Sequence, residues 1–243
     1  MMDLFHNLIY LPLHNLLVFF VDVVPGNDLG LAVIAVTLLV KIVLMPLSLS
    51  AVKTQKAMKG LEPELKAIRE KYKEQPEVQA RETFALYKKY NVKPFASILM
   101  LFVQIPIIFG LYFVCQGAAL TALDPSLLYS FIPVPESISP LFLGIFAVTT
   151  PSIVLALAAA VTQLAQAFYA IPVPPKPEGT PTMQEEFGRA LAVQARFILP
   201  VVIGIFAYVA GGAIALYFVA SNVMMLAQEF IVRGTHKPQT TSV

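Results

Sequence analysis

The chain alternates long apolar runs with shorter polar connections, and five of the runs are long enough to cross a bilayer. About 20 helical residues cross the roughly 30 Å hydrocarbon core of a membrane. Windows of that length with few charged residues predict five spans, at residues 29–49, 95–117, 150–170, 190–209 and 214–232. Gly211 and Gly212 leave room only for a tight turn between the last two spans, which we therefore expect to form a helical hairpin.

The amino-terminal segment is apolar, but we predict that it lies on the membrane rather than across it. Pro12 interrupts it, and His14, Asn15 and Asp22 recur at near-helical spacing. A polar face on an apolar helix is typical of an amphipathic helix in the membrane interface. The segment has neither Lys or Arg before the apolar run nor a small-x-small site after it. We therefore expect no secretory signal peptide and no organellar transit peptide.

The one strongly polar stretch, residues 50–93, has the pattern of two short amphipathic helices. Its first apolar stripe, with residues three or four positions apart, is Met58, Leu61, Leu65, Ile68 and Tyr72. Gln75 and Pro76 break this pattern, and a second helix is predicted from 77 to 90. Its partial facing stripe is Val78, Ala85, Leu86 and Tyr90. We expect a helical hairpin.

The basic residues predict which side each connection faces. Of the 17 Lys and Arg residues, eleven lie in 50–93, whereas 1–28 and 118–149 contain none. Because cytoplasmic loops are rich in Lys and Arg, we expect the amino end outside and the carboxyl end inside. The predicted fold is an all-α polytopic membrane protein of five spans, in the inner membrane of a bacterium.

The predicted divisions follow from these bounds. They are 1–28 for the extracytoplasmic interfacial helix and its link, 29–49 for the first span, 50–93 for the cytoplasmic hairpin, 94–117 for the second span, 118–149 for the extracytoplasmic loop, 150–170 for the third span, 171–189 for a cytoplasmic loop, 190–232 for the last two spans, and 233–243 for a short cytoplasmic tail.

Composition excludes several function classes. With 57% apolar and 13% charged residues and a mean hydropathy of +0.73, the chain differs from soluble domains, which are about 25% charged. A net charge of +2 disfavours a general nucleic-acid binder. One cysteine and three histidines without metal-ligand spacing predict neither a disulfide nor a metal. Neither a nucleophile with its base nor a phosphate loop is evident, so we expect no enzyme and no cofactor.

Lys41 lies inside the first predicted span, where a charge costs about 2.5 to 3.5 kcal/mol. Its side chain could extend to the cytoplasmic headgroups. It could instead lie in a polar cavity, because the sequence provides other polar residues at a similar depth. They are Thr37 on the same helix and, in other spans, Gln104, Thr162, Gln163, Gln166, Ser221 and Asn222. Glu229 lies too near the end of the fifth span to pair with Lys41 at mid-depth. A water-filled cavity therefore fits better than a buried ion pair.

The lack of a carboxylate at mid-depth also disfavours a proton-coupled or sodium-coupled transporter. The chain shows no inverted repeat of the kind that accompanies alternating access. A small transporter or channel for a small solute is the alternative function.

Several stretches together carry a resemblance to a known family. They are GNDLGLAVIAVTLLVKIVLMPLS, MKGLEPELKAIREKY, LYKKYNVKP, FVQIPIIFGLYF, FLGIFAVTTPSIVLALAAAVTQLAQAF and ALYFVASNVMMLAQE. In this order, with a charged hairpin after the first of five spans, they resemble the YidC/Oxa/Alb family of membrane protein insertases. The similarity covers roughly residues 7–234.

The resemblance implies a mechanism. Lys41 would be the positive charge in a hydrophilic groove that opens to the cytoplasm and to lipid and is sealed outside. The polar residues named above would form its walls, and Phe218 would be the aromatic residue of the fifth span. A substrate's short polar end would enter the groove, and its apolar helix would leave sideways along the third and fifth spans. The resemblance also implies roles for hairpin residues, which are Met58, Leu61, Glu64, Leu65, Ile68, Tyr72 and Tyr87.

By the same resemblance, the partners are nascent membrane proteins and the lipid bilayer, with the ribosome and a Sec translocon as further candidates. The chain departs from the family pattern at two of these positions. Most members carry Arg where this chain has Lys41, and Trp where it has Phe218. Lys keeps the positive charge but lacks the forked donor set of Arg.

Overall fold

The described part of the chain is mostly helical in the computed structural model, which describes residues 2–93, 96–116, 125–171, 173 and 183–235. The helices are α1 (Met2–Phe5), α2 (Leu11–Val23), α3 (Leu29–Val43), α4 (Met45–Gly60), α5 (Glu62–Lys71), α6 (Pro76–Lys89), α7 (Ala96–Gln116), α8 (Ile153–Ala170), α9 (Met183–Ala210) and α10 (Gly212–Thr235). A π-helix, His6–Tyr10, joins α1 to α2. Within the described ranges, strands are limited to an antiparallel pair, β1 (Leu141–Phe142) and β2 (Phe146–Ala147).

Helices of membrane-spanning length and composition occur along most of the chain. Four segments qualify on their own: Asp3–Val23, Ile153–Ala170, Glu186–Ala210 and Gly212–Val232. Leu29–Val43 and Met45–Met58 make a fifth if they are counted as one interrupted span. Within α7, the stretch Phe102–Cys115 is apolar but shorter. The chain is therefore a polytopic, all-α membrane protein.

The first predicted span is not one continuous helix. The sequence predicts a helix over 29–49, but α3 ends at Val43 and α4 begins at Met45. Pro46 lies in the first turn of α4, where its missing N–H costs nothing, whereas inside a continuous helix it would remove a hydrogen bond. The apolar run conceals this break because hydropathy does not register it.

The amino-terminal segment is helical through Pro12, contrary to the interruption that the sequence suggests. The N–H of Leu11 bonds the carbonyl of His6, five residues earlier. The missing N–H of Pro12 therefore falls where the hydrogen-bond pattern changes from π to α spacing. The expected polar face is also wrong in part, because His14 and Asn15 are buried. Placement of this helix in the interface stays a prediction, since its length and composition also suit a span.

The chain divides into two compact units. The first comprises 1–43 and 104–227, and its core is formed by α2, α3, α7, α8 and α10, with Ala207 and Ala210 of α9. Among its candidate spans, α10 is the most buried and α9 the least. Small residues let α8 and α9 pack closely: a Cβ on Gly204 would lie 2.9 Å from the Cβ of Ala160. Such contacts are typical of helix pairs in membranes.

Two buried polar residues of the first unit hold the connection 125–149. Asn15 donates to the carbonyl of Leu127 (2.9 Å) and accepts from the N–H of Tyr129 (2.6 Å). Asp28 caps α3 by accepting from the N–H of Leu31 (3.0 Å), and it also accepts from the N–H of Leu143 (2.6 Å). These bonds satisfy polar groups whose burial would otherwise be costly.

The second unit comprises 44–103 and 228–243, and the described part of it contains the predicted hairpin. The first stripe does not lie on one helix, because α4 ends at Gly60 and α5 starts at Glu62 with Pro63 in its first turn. Except for Tyr72, the stripe nevertheless packs into a small apolar cluster, whose buried members are Leu61, Leu65, Leu86 and Val92. The predicted facing stripe is wrong at Ala85 and Tyr90, which are exposed.

Candidate functional site

Lys41 lies in the last turn of α3, turned into the protein, and is only 3% exposed. Its Nζ donates to Oε1 of Gln104 on α7 at 3.2 Å. Among the residues that the structure describes, no carboxylate lies within ion-pair distance of Lys41. The carbonyls at the end of α3 favour a cation in this turn. The site is therefore a buried ammonium group with a neutral amide as its hydrogen-bond partner.

Lys41 is nearer a helix end than the sequence suggests, because α3 ends two residues after it. Thr37 lies one turn earlier on α3 and is also buried. Its hydroxyl donates to the carbonyl of Val33 at 2.7 Å, which leaves its oxygen free to accept only. Thr37 can thus receive a hydrogen bond from a neighbour in the span but has no second proton to give.

A second pair of predicted site residues joins α8 to α10. Asn222 donates from Nδ2 to Oγ1 of Thr162 at 3.3 Å, and Asn222 is 3% exposed. Ser221, beside it, is also buried. On α8, Gln163 donates to Oε1 of Gln166 at 3.4 Å. Neutral donors and acceptors therefore line the facing parts of these two helices.

The structure brings the predicted polar residues together as two groups rather than one. Lys41 bonds Gln104, and Thr162 bonds Asn222. No hydrogen bond connects the two groups in the described part of the chain. Phe218 is largely buried and meets Phe206 of α9 edge to face, with ring centroids 6.2 Å apart.

Sequence reasoning missed a polar face on α10. Tyr217, Ser221 and Gln228 are spaced by four and seven residues, which places them on one side of the helix, and all three are buried. In the second unit, Gln228 accepts a hydrogen bond from the hydroxyl of Ser48. This spacing is the signal that could have identified the face.

Two further charged residues have defined contacts. In the second unit, Glu229 is buried, and Lys56 of α4 lies 3.6 Å from its carboxylate. In the first unit, Arg196 donates to the carbonyl of Ile171, just past the end of α8, and its guanidinium lies 5.0 Å from the ring centroid of Phe168. A cation at a helix carboxyl end is favourable.

The hairpin residues named from the sequence fall into a buried set and a surface set. Leu61 and Leu65 are buried in the apolar cluster, and Met58, Ile68 and Tyr87 pack against it. Glu64 and Tyr72 lie outside it. The hydroxyl of Tyr90 donates to Glu64 at 2.8 Å, and the ammonium of Lys71 lies 5.1 Å from the ring centroid of Tyr72.

Comparison with known proteins identifies the family. The family described as 60Kd inner membrane protein matches residues 19–239. The membrane protein insertase YidC 1 of Halalkalibacterium halodurans is 30% identical over 227 residues, which cover 92% of this chain and 76% of that protein. The chain belongs to the YidC family.

Other YidC-family proteins match to a similar extent. The membrane protein insertase MisCA of Bacillus subtilis is 26% identical over 224 residues, 90% of this chain and 75% of that protein. The membrane protein insertase YidC 2 of Bacillus anthracis is 29% identical over 228 residues, 92% of this chain and 78% of that protein. Since the matches cover most of both chains, the family assignment concerns the whole fold. The chain is a multi-pass membrane protein of a bacterial family.

Proposed function

We propose that this protein is a membrane protein insertase, which transfers segments of nascent membrane proteins into the bilayer and helps them fold. Membership of the YidC family and the set of apolar helices support this proposal. The observation that carries it is the buried ammonium group of Lys41, bound to Gln104 of α7. A cation retained inside the membrane at such a cost is a sign of function.

In the proposed mechanism, Lys41 is the positive charge of a hydrophilic groove. Gln104 orients its ammonium group by a neutral hydrogen bond, so that the charge remains available to an acidic or polar substrate end. The buried groups of Thr162, Ser221 and Asn222 provide further polar contacts. Since an unpaired polar group in hydrocarbon costs several kcal/mol, such contacts lower the barrier to moving a substrate's polar end inward.

Release into lipid is proposed to follow α8 and α10. The other face of α8 is apolar and exposed; its residues Ile153, Val154, Leu157 and Val161 are all more than half exposed. This face is opposite in character to the polar face that carries Thr162 and Gln166. A substrate helix that moves from the polar face of α8 to its apolar face would exchange polar for apolar surroundings and stay in contact with α8 throughout. Transfer of its apolar surface into lipid then drives the reaction, with no need for ATP.

The proposed orientation keeps the amino end outside and the hairpin inside, in accordance with the charge distribution. The hairpin carries a local excess of five positive charges, eleven basic against six acidic residues. We propose that it receives substrate at the cytoplasmic surface, and that a ribosome or Sec translocon can deliver the substrate there. The apolar cluster would keep α5 and α6 together in this role.

Insertion by the purified protein tests the proposed function. The protein is reconstituted into liposomes, and a single-span test protein with a short acidic outside end is synthesised in their presence. We expect the outside end to become protected from added protease severalfold more in proteoliposomes than in liposomes that carry an unrelated polytopic protein. Equal protection in the two preparations would contradict the proposal. Release of a trapped small solute without protection would favour the transporter or channel.

A further inference from the structure

A cavity of about 530 Å³ lies within the second unit, between α4 and the connection that follows α6. Its α4 wall is formed by residues 46, 49, 50, 53, 54 and 57, which share one face of the helix. Its other wall is formed by residues 90–93. The volume is within the range of about 300 to 1,000 Å³ that is usual for small-molecule sites.

The polar part of this cavity has the chemistry of an anion site. Lys53 and Lys93 line it, and no carboxylate does. In the described ranges, neither lysine has an ion-pair partner, whereas Lys56, one turn after Lys53, lies against Glu229. The hydroxyls of Ser50 and Thr54 add two hydrogen-bond donors on the same wall. Ammonium groups with neighbouring donors are suited to phosphate.

Apolar side chains form much of the remaining lining, which favours an amphipathic ligand over a free ion. They are Pro46, Leu49, Ala57 and Val92, and Tyr90 and Asn91 complete the lining. Contact with such a wall does not stabilise bound free phosphate, but it does stabilise a bound phospholipid by burying its glycerol and upper acyl region. Moreover, only Leu44 separates α4 from α3, so that in the proposed orientation the chain enters α4 at the cytoplasmic end of the first span.

We propose that this cavity binds the headgroup of an anionic phospholipid, with Lys53 and Lys93 at the phosphate and the apolar wall against the glycerol region. The lipid would hold α4 and the connection after α6 together at the membrane surface. The proposal rests on the proposed orientation but not on insertion activity. It can therefore fail while the insertase proposal stands, and the reverse also holds.

Native mass spectrometry of the full chain in detergent, titrated with phosphatidylglycerol or phosphatidylcholine, tests this site. We expect the wild type to bind phosphatidylglycerol more tightly than phosphatidylcholine. The double variant Lys53→Gln/Lys93→Gln should weaken phosphatidylglycerol binding about 25-fold, or about fivefold per lysine. The matched double variant Lys73→Gln/Lys88→Gln removes the same charge from exposed hairpin positions outside the cavity, and should bind as the wild type does.

Ser50→Leu provides an independent variant, because it fills the cavity and keeps both lysines. We expect it to weaken phosphatidylglycerol binding as well. Equal losses in the two double variants would show a general charge effect and overturn the proposal, as would unchanged binding in Ser50→Leu. Titration with inorganic phosphate distinguishes a lipid headgroup from free phosphate as the bound anion. Lysine-dependent binding of phosphate without binding of phosphatidylglycerol would also overturn it.

Discussion

Replacement of Lys41 by Ala should lower insertion of a test protein with an acidic outside end about tenfold or more. A hydrogen bond to a charged group contributes about 1.5 to 3 kcal/mol, which corresponds to a factor of roughly 10 to 100. Lys41 is buried and has only the neutral amide of Gln104 as its bonded partner, so its charge is not cancelled locally. Lys41→Arg should retain most of the activity, since it keeps the charge. The initial rate of protease protection in proteoliposomes gives the measurement.

Arg196→Gln is the matched control for loss of a positive charge within the spans. Arg196 bonds the carbonyl of Ile171 rather than a site residue, and insertion by this variant should stay near that of the wild type. Melting temperatures of all variants establish that the proteins fold. Full activity in Lys41→Ala, or loss of activity in Lys41→Arg alone, would refute the electrostatic role of Lys41.

The second large effect concerns stability, and we expect it from Gly212→Ala. A Cβ at this position would lie 2.5 Å from the carbonyl oxygen of Ala147 and 3.0 Å from the Cα of Val148. Both atoms belong to the backbone and cannot rotate away. The start of α10 would have to move, which strains the bonds from Gly212 to Thr150 and from Ala213 to Val148. Overpacking with weakened hydrogen bonds should cost about 2 to 5 kcal/mol.

Thermal unfolding followed by circular dichroism in detergent measures this effect. Gly60→Ala is the control, because Gly60 ends α4 and a Cβ there would meet no atom within 4 Å. It should be neutral or stabilise by up to about 1 kcal/mol. If Gly212→Ala melted at the temperature of Gly60→Ala, the close contact of α10 with β2 would be wrong.

Hydropathy predicts an all-α chain with several long apolar helices because the bilayer imposes a minimum apolar length on a span. It cannot predict where an apolar helix breaks. The interruption at Leu44 depends on Pro46, and the break between α4 and α5 depends on Gly60 and Pro63. These residues are visible in the sequence, but an apolar run continues across Pro46, and the periodic apolar stripe over 58–72 continues across Gly60 and Pro63 and hides their effect. Local backbone chemistry therefore prevails over periodicity at these points.

The polar residues of the site can be named from the sequence, but their partners cannot. A polar side chain in an apolar span is conspicuous because its burial is costly. Which groups meet depends on how each helix is rotated about its axis, and Lys41 and Gln104 lie 63 residues apart. For the same reason, the sequence does not predict the interior positions of His14 and Asn15. Their spacing predicts a polar outer face, whereas both are buried and Asn15 holds the connection 125–149.

The most direct test of the proposed groove is a charge-reversal cycle between Lys41 and the substrate. Test proteins with an acidic, a neutral or a basic outside end are offered to the wild type, Lys41→Ala and Lys41→Glu. The liposomes carry no membrane potential, which would itself favour one charge. We expect the wild type to prefer the acidic end, Lys41→Ala to show little preference, and Lys41→Glu to prefer the basic end. If all three insertase proteins inserted the test proteins with the same order of preference, Lys41 would not contact the substrate's outside end.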